Sequence, residues 1–263
     1  YTITDGDGGD VEQTLTLTVT DTNDAPTVNG ALSLSAVEDG ETTGLDLLDG
    51  ASDVDNGAEL GVQNVVGLVA GLTLDGTTLT LDPSDLSFQN LAADAVQIVT
   101  ITYDVVDEFG AFVMQSAEMS ITGVNDDPTV AAALAATTDE DGDAVTIDLL
   151  DGASDVDDGA VLSIANVSAL GAGLTLDGTT LSLDPSDAAF QSLAVGETAE
   201  LTVTYDVVDE FGGLVAQSAT ITIVGTNDLP TASAEITAGG VIDSGVVTLD
   251  LLDGASDIDG DAL

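Results

Sequence analysis

The chain repeats itself every 102 residues. All of its tyrosines and prolines follow this step: Tyr1, Tyr103 and Tyr205; Pro26, Pro128 and Pro230; Pro83 and Pro185. A fixed period of this kind is the mark of a tandem array of one structural unit. The sequence therefore predicts several copies of one domain of about 100 residues rather than a single large core.

Three motifs recur at this step and set the predicted domain limits. They are LDLLDGASDVD at 45–55, with close copies at 147–157 and 249–259; YDVVDEFG at 103–110 and 205–212; and the junctions DTNDAP, GVNDDP and GTNDLP at 21–26, 123–128 and 225–230. We predict complete repeats at 27–128 and 129–230, the C-terminal part of a repeat at 1–26 and the N-terminal part of another at 231–263. Because the chain starts in a strand-like segment and ends within a repeat, we expect a fragment of a longer protein.

Within a repeat the apolar residues alternate with polar ones, which predicts strands. The clearest examples are Leu15, Leu17 and Val19 among threonines, two hairpins at 72–81 and 174–183 around Asp75-Gly76 and Asp177-Gly178, and a long strand pair at 99–106 and 117–124. About seven strands per repeat predict an antiparallel β-sandwich. The stretch 84–93 is the only helical candidate, and one turn or a loop is expected there. For Tyr103 and Tyr205 we prefer an aromatic at the core edge over a tyrosine-corner bond.

The charge is extreme, because the chain has 49 Asp and Glu and no Lys, Arg or His, which gives a net charge of −49. Two carboxylates about 4 Å apart repel by roughly 4 kcal/mol at an effective dielectric near 20, whereas a domain is stable by only about 5–15 kcal/mol. Clustered carboxylates must therefore be solvated, protonated or bound to metal. Oxygen ligands without His or Cys favour calcium, with magnesium second, over zinc or copper.

The composition also excludes several classes of protein. Hydrophobic residues make up 44% of the chain, so it is not disordered acid. Nucleic acid and anionic membrane surfaces require Lys and Arg, so neither is expected as a partner. No apolar run reaches the ~18 residues that span a bilayer, so membrane insertion is not expected. The absence of cysteine suits a bacterial surface protein that is held together by metal.

Acidic elements stand in a fixed order within each repeat. The junction Asp21-Thr22-Asn23-Asp24-Ala25-Pro26 has the pattern D-x-N-D-x-P, in which proline stiffens the linker and Asn and Asp offer oxygens to a cation. Alone, such a segment or an isolated D-x-D is most often a turn. Four elements recur in the same order at a step of 102: the junction, Glu38 or Glu140, the D-x-D pairs, and Asp107 or Asp209.

This order of motifs resembles the bacterial cadherin-like and VCBS-type repeats of very large RTX surface adhesins, and residues 1–26 are especially similar to the ends of VCBS repeats. The resemblance covers the whole chain. It implies an all-β tandem array of immunoglobulin- or cadherin-like sandwiches, with Ca2+ at the junctions and neighbouring repeats as partners. It also implies an extracellular extender at a bacterial cell surface that supports adhesion or biofilm formation, without naming the adhesion target.

The resemblance also implies the ligand sets. The first junction would use Asp21, Asn23, Asp24, Asp53, Asp55 and Asp107. The second would use Glu38, Asn125, Asp126, Asp155, Asp157 and Asp209. The third would use Glu140, Asn227, Asp228, Asp257 and Asp259. Asp82, Asp85, Asp184 and Asp187 match a further cadherin element loosely. The pattern departs from the family at Gly123 and Gly225, which replace the first linker Asp, so fewer ions are expected at those two junctions. Ile242 replaces the Glu38/Glu140 position, so a weaker or more flexible junction is expected beyond Leu263.

Other functions fit less well. An EF-hand loop starting at Asp5 or Asp139 lacks the glutamate at its twelfth position. A glycan- or protein-binding module would present exposed aromatics, and the chain has few; a metal-independent spacer is a further alternative. A glycosidase pair of carboxylates is disfavoured, because the acidic residues lie on repeated turns rather than in one unique pocket.

Overall fold

A computed structural model describes residues 1–20, 22–233, 235–240, 243 and 245–263. Every regular element in these residues is a β-strand. The chain divides into two compact units: residues 1–88 with 96–122, and residues 89–95 with 123–263. This division follows packing, whereas the repeat limits at 26, 128 and 230 follow the sequence period and stay a prediction.

The first unit has eleven strands. They are β1 (Thr2–Thr4), β2 (Asp10–Glu12), β3 (Thr27–Val28), β4 (Leu32–Val37), β5 (Thr43–Asp46), β6 (Ala51–Ser52), β7 (Gly61–Val66), β8 (Leu72–Asp75), β9 (Thr78–Leu81), β10 (Val96–Val106) and β11 (Phe112–Thr122). Nine strands lie between Thr27 and Thr122, two of them only two residues long, whereas about seven were predicted for one repeat.

The second unit repeats this series. Its strands are β12 (Thr129–Val130), β13 (Leu134–Asp139), β14 (Val145–Asp148), β15 (Ala153–Ser154), β16 (Ser163–Ala165), β17 (Leu174–Asp177), β18 (Thr180–Leu183), β19 (Thr198–Val208), β20 (Leu214–Val224), β21 (Thr231–Ala232) and β22 (Ala255–Ser256). The long strand pair predicted at 99–106 and 117–124 is confirmed as β10 and β11, although β11 starts at Phe112 and ends at Thr122; β19 and β20 repeat the pair in the second unit.

Each unit contains a sandwich of two sheets. The larger sheets have the strand orders β4-β11-β10-β7 and β13-β20-β19-β16, and the smaller ones β5-β9-β8 and β14-β18-β17. The long strands pair antiparallel over eleven residues, whereas β4 and β13 join the larger sheets in parallel. The all-β sandwich predicted from alternation is therefore the observed fold.

The cores consist mainly of aliphatic residues from the inner faces of both sheets, together with one Phe and one Tyr in each unit. In the second unit Leu181 and Leu183 of β18 pack in one cluster with Val203 and Val207 of β19 and Ile221 of β20. Residues of β19 alternate between exposed and buried because successive side chains of a strand point to opposite faces. The same positions are buried in the first unit, so the repeat preserves the core.

The two core tyrosines do more than fill space. Tyr103 and Tyr205 are each 2% exposed. The hydroxyl of Tyr103 donates to the Leu47 carbonyl at 2.8 Å, and that of Tyr205 donates to the Leu149 carbonyl at 2.7 Å. The preferred expectation of a plain core-edge aromatic is therefore wrong. A tyrosine corner is not formed either, since that bond reaches only a few residues upstream and these span 56.

Two local predictions need correction. Residues 14–20 are not a strand, and Leu15, Leu17 and Val19 are at least 80% exposed. Their equivalents in β11 and β20 pair with strands on both sides, and residues 14–20 have no such partners among the described residues. The hairpins predicted around Asp75-Gly76 and Asp177-Gly178 form, but each turn lies one residue later, because Asp75 pairs with Thr78 and Asp177 with Thr180 inside the ladders.

Candidate metal centre

Short two-stranded ladders bring each linker next to a D-x-D pair. The strand β3, directly after Pro26, pairs with β6, which directly precedes Asp53. The ladders β12–β15 and β21–β22 repeat this pairing. Because these strands are antiparallel, the residues before β3 and those after β6 lie at the same end of the ladder. Linker and D-x-D residues 31 positions apart therefore meet.

One hydrogen-bond scheme occurs three times at this place. The backbone N–H of the linker Asp donates to Oδ2 of the second Asp of the pair, in Asp24–Asp55 at 2.8 Å, Asp126–Asp157 at 3.1 Å and Asp228–Asp259 at 2.8 Å. The N–H of that second Asp donates in turn to Oδ1 of the first, in Asp55–Asp53 at 2.8 Å, Asp157–Asp155 at 2.9 Å and Asp259–Asp257 at 3.0 Å. The backbone thus fixes the carboxylates without neutralising them.

The linker asparagines bind a second carboxylate in the loop between the long strands. Asn23 Nδ2 donates to Asp107 Oδ2 at 2.8 Å, and Asn125 Nδ2 donates to Asp209 Oδ2 at 2.9 Å. The Asn23 bond is the largest cause of the lowered pKa of Asp107, with backbone N–H groups of the loop adding to it. For Asp209, burial raises the pKa, but bonds from Asn125 and three backbone N–H groups together lower it.

A third set of acidic residues lies around Glu140. One carboxylate oxygen from each of Glu140, Asp228 and Asp259 lies within 4.8 Å of the others, and the same holds for Asp257, Asp259 and Asp261. Glu140 is fully buried and accepts the Thr226 N–H on Oε1 at 2.7 Å. Burial, followed by the charges of three neighbouring aspartates, raises the pKa of Asp228.

Several buried oxygens of these sets have no hydrogen-bond partner among the described residues. They are Asp53 Oδ2, Asn125 Oδ1, Glu140 Oε2, Asp155 Oδ2, Asp157 Oδ1 and Asp259 Oδ1. Burial is the main cause of the raised pKa of Asp157, and the charges of Asp155 and Asp209 add to it. Unpaired buried oxygens on carboxylates and an amide are the donor set that calcium takes. The residues therefore fit a hard cation.

The predicted ligands meet to different degrees. Within the first unit, Asn23, Asp24, Asp53, Asp55 and Asp107 form one linked group. The second unit contains two such groups. The first links Asn125, Asp126, Asp155, Asp157 and Asp209. The other links Asn227, Asp228, Asp257 and Asp259, and in it Asn227 Nδ2 donates to the Asp228 carbonyl at 2.7 Å. Asp21 and Ile242 lie outside the described residues.

Glu38 belongs to the first unit, where its side chain is 2% exposed and its N–H donates to the Thr122 carbonyl at 2.9 Å. Glu140 repeats this bond with the Val224 carbonyl at 3.0 Å. The two glutamates therefore lie at equivalent positions of the fold, directly after β4 and β13. The assignment of Glu38 to a ligand set with residues of the second unit stays a prediction.

Some acidic residues escaped the sequence analysis. Asp5 Oδ1 accepts the N–H groups of Asp7 and Gly9 at 3.0 and 2.7 Å, the same arrangement as in the loops of Asp107 and Asp209. The Gly9 bond is the largest cause of its lowered pKa. The step of 102 from Asp107 could have found it. Asp261 could have been found from the extension of D-x-D to D-x-D-x-D.

The loosely matched aspartates have a local role. Oδ1 of Asp82 accepts both the N–H and the hydroxyl of Ser84, at 3.1 and 2.7 Å, and Asp184 repeats this with Ser186. Asp85 and Asp187 cap the next turn in the same way, through the N–H groups of Ser87 and Ala189. These are turns of the Asx type, in which the side chain replaces a backbone acceptor.

Packing explains why glycine replaces the linker Asp. A Cβ on Gly123 would collide with the carbonyl oxygens of Leu91 and Ala92, and one on Gly225 would collide with the same groups of the equivalent loop. Gly123 N–H also donates to the Ala95 carbonyl at 2.7 Å. No side chain fits at this position, so the glycines are required by backbone packing, whatever number of ions the junction holds.

Residues 124–224 match the family model of the cadherin-like domain. The matched segment lies within the second unit, which is therefore similar to a cadherin-like domain. A comparison with curated protein sequences gives no match.

Similar solved structures come from cadherin ectodomains. Human mucin-like protocadherin EC1-2 is 16% identical, with 76% of this chain and 98% of that chain covered at a TM-score of 0.48. Mouse cadherin-23 EC22-24 is 17% identical, with 77% of this chain and 65% of that chain covered at a TM-score of 0.46. Human protocadherin-24 EC1-2 is 18% identical, with 80% of this chain and 100% of that chain covered at a TM-score of 0.44. Among the described residues there is no helix of the length and apolarity that crossing a bilayer needs.

Proposed function

We propose that this chain is a calcium-stiffened extender of a large secreted bacterial adhesin, of the RTX type with VCBS-like repeats, which supports cell adhesion or biofilm formation. The observation that carries the proposal is the buried carboxylate of Glu140. Its Oε2 atom has no partner among the described residues, and oxygens of Asp228 and Asp259 lie within 4.8 Å.

Charge explains why a cation belongs there. A buried carboxylate costs several kcal/mol unless it is paired, and the repulsion from two further carboxylates adds to that cost. The chain contains no Lys, Arg or His that could supply the positive charge. A divalent cation from solution offsets all three carboxylates at once, and the oxygen-only donor set favours calcium.

The residues that would hold calcium are those of the three linked groups. In each group the linker supplies Asn and Asp, and the following segment supplies the D-x-D pair. Glu140 and the linker residue Asp228 come from opposite ends of the predicted repeat 129–230, and Asp259 comes from the segment after it. An ion shared by all three would restrain the linker, because its movement would break ligand bonds.

This role as an extender accounts for the repetition. An array of similar modules adds length with each copy, whereas a ligand-binding site needs to be present only once. The fully buried Glu140 also has no role in an exposed glycan site. Calcium is therefore proposed as a structural ion, and neighbouring repeats as the partners it joins, outside the cell.

Isothermal titration with calcium tests the proposal directly. The wild-type chain should take up calcium, and Glu140→Gln should lose at least one binding event because the amide keeps the shape but not the charge. Glu118→Gln is the matched control, since Glu118 lies exposed on β11. No uptake by the wild type, or an unchanged stoichiometry in Glu140→Gln, would contradict the proposal.

A further inference from the structure

The eight asparagines of the chain fall into two groups. Six donate a hydrogen bond from Nδ2 to a carboxylate or a carbonyl at 2.7–2.9 Å: Asn23, Asn64, Asn90, Asn125, Asn166 and Asn227. The other two, Asn29 and Asn56, donate no such bond among the described residues, and both are exposed. These two are also the asparagines that glycine follows.

An unrestrained Asn-Gly dipeptide is chemically reactive. The backbone nitrogen of the glycine attacks Cγ of the asparagine, an N–Cγ bond forms, the Cγ–Nδ2 bond breaks, and ammonia leaves with the amide proton. Water then opens the five-membered imide at either carbonyl and gives an aspartyl or an isoaspartyl residue. Glycine favours the first step because it has no side chain to obstruct the approach, and water is the only co-reactant.

Asn56 meets the structural conditions for this reaction. Gly57 has a φ of +87°, a conformation that residues with a side chain rarely adopt, and its N–H donates no hydrogen bond among the described residues. Both residues are exposed, in the turn that follows Asp55. By contrast, an amide such as that of Asn90 must first break its bond to Asp158 Oδ2 at 2.8 Å.

The second unit shows that the fold accepts the product. The position equivalent to Asn56, one step of 102 further on, is Asp158. Gly159 keeps the same backbone conformation, with a φ of +85°. An aspartyl residue at position 56 would therefore restore the sequence that the second unit carries from the start.

We propose that Asn56 is a self-modifying site, which converts without an enzyme to an aspartyl or isoaspartyl residue and adds a carboxylate beside Asp55. Asn56 lines a surface cavity together with Asn23, Asp55 and Glu108. On the proposed function, which this consequence rests on, the aspartyl product strengthens calcium binding in the first unit. The conversion itself requires no calcium.

The test is to age the purified chain at neutral and mildly alkaline pH in EGTA and to follow each asparagine by mass spectrometry. A glutamyl- or aspartyl-specific protease is needed, because the chain has no Lys or Arg for trypsin. Asn56 should convert at least about tenfold faster than Asn64 and Asn90, since each of those must first give up a hydrogen bond to a carboxylate. The rate should rise with pH, because the attacking nitrogen must lose its proton.

Two variants complete the experiment. Asn56→Gln should block the conversion, because the longer side chain closes a larger ring more slowly, and Asn56→Asp should co-migrate in charge with the aspartyl form of the aged wild type. Equal conversion at Asn56, Asn64 and Asn90 would overturn the proposal. Calcium titration of Asn56→Asp is a separate measurement. If it shows no calcium binding, the proposed function fails, but the conversion of Asn56 measured by mass spectrometry is unaffected.

Discussion

The backbone N–H of Asp228 donates to Oδ2 of Asp259 at 2.8 Å, although both residues carry negative side chains. The bond is made by the peptide group, so it positions Asp259 and leaves the charge of Asp228 uncompensated. Burial, followed by the charges of neighbouring aspartates, raises the pKa of Asp228, because both disfavour the charged form of its carboxyl group. The same backbone bond occurs in the two preceding copies, so the repeat preserves this arrangement of carboxylates.

Calcium should raise the thermal stability of the chain. An ion at about 100 times its Kd contributes roughly 2.7 kcal/mol per site, and each kcal/mol raises Tm by about 2–4 °C in a chain of 150–250 residues. Differential scanning calorimetry in millimolar calcium should therefore give a Tm several degrees above that in EGTA. Sodium chloride at the same ionic strength is the control, and equal Tm values in calcium and EGTA would count against a structural ion.

Asp157→Asn should have opposite effects with and without calcium. Burial and the charges of Asp155, Asp209 and Glu210 raise the pKa of Asp157 in the fold. Its ionised form therefore destabilises the metal-free chain, and this loss develops as pH rises from the ordinary value of 3.8 through the raised pKa. In EGTA at neutral pH the variant should be more stable than the wild type, and in calcium it should be less stable.

The pH profile supplies the control for this variant. In EGTA the advantage of Asp157→Asn should shrink as pH falls, because protonation neutralises the wild-type carboxyl. Asp107 and Asp209 act in the other direction, because their pKa is lowered in the fold. Their ionised carboxylates stabilise the folded chain above pH 3.8, and this stabilisation is lost as the pH falls through the lowered pKa. Urea unfolding at several pH values measures both, and Asp177→Asn, in an exposed hairpin, should change neither profile.

Tyr103→Phe should destabilise the first unit independently of metal. The variant keeps the buried ring but removes the donor to the Leu47 carbonyl, which costs about 0.5–1.5 kcal/mol for a typical hydrogen bond. Burial, followed by the charge of Asp46, raises the pKa of Tyr103 to about 12, so its hydroxyl stays protonated below that pH. Unfolding in EGTA and in calcium should show the same loss. Tyr1→Phe, at a residue 72% exposed, should show none.

Much of this structure could be predicted because its causes are local. Alternation places Val203, Tyr205 and Val207 on the inner face of β19, and the step of 102 transfers each assignment to the next copy. The Tyr103–Leu47 bond could not be predicted, since no local pattern shows which carbonyl lies opposite the hydroxyl. Residues 14–20 have the alternation of a strand, but no strand of the described residues lies on either side to pair with them.

The glycines that replace the first linker Asp also could not be explained from the sequence alone. The sequence indicated only that Gly123 lacks a carboxylate, which suggested fewer ions. The structure adds that the carbonyls of Leu91 and Ala92 leave no room for a Cβ. Packing against a segment some 30 residues away in sequence decided that position, and such a contact is invisible to motif comparison.

The last prediction concerns shape in solution. A strand of eleven residues spans about 36 Å, so each repeat of an extender should add a length of this order. With calcium, ligands from the linker and from the segments that flank it would hold the junction at one angle. Without calcium, the carboxylates repel across a short linker, and salt screens that repulsion only beyond about 8–10 Å. Small-angle scattering should then give a rod in calcium and a broader range of bent shapes in EGTA, while circular dichroism shows that the strands persist. Should the maximum dimension and its spread be the same in both conditions, although titration shows calcium bound, the ion stabilises single domains and the extender is stiff without it.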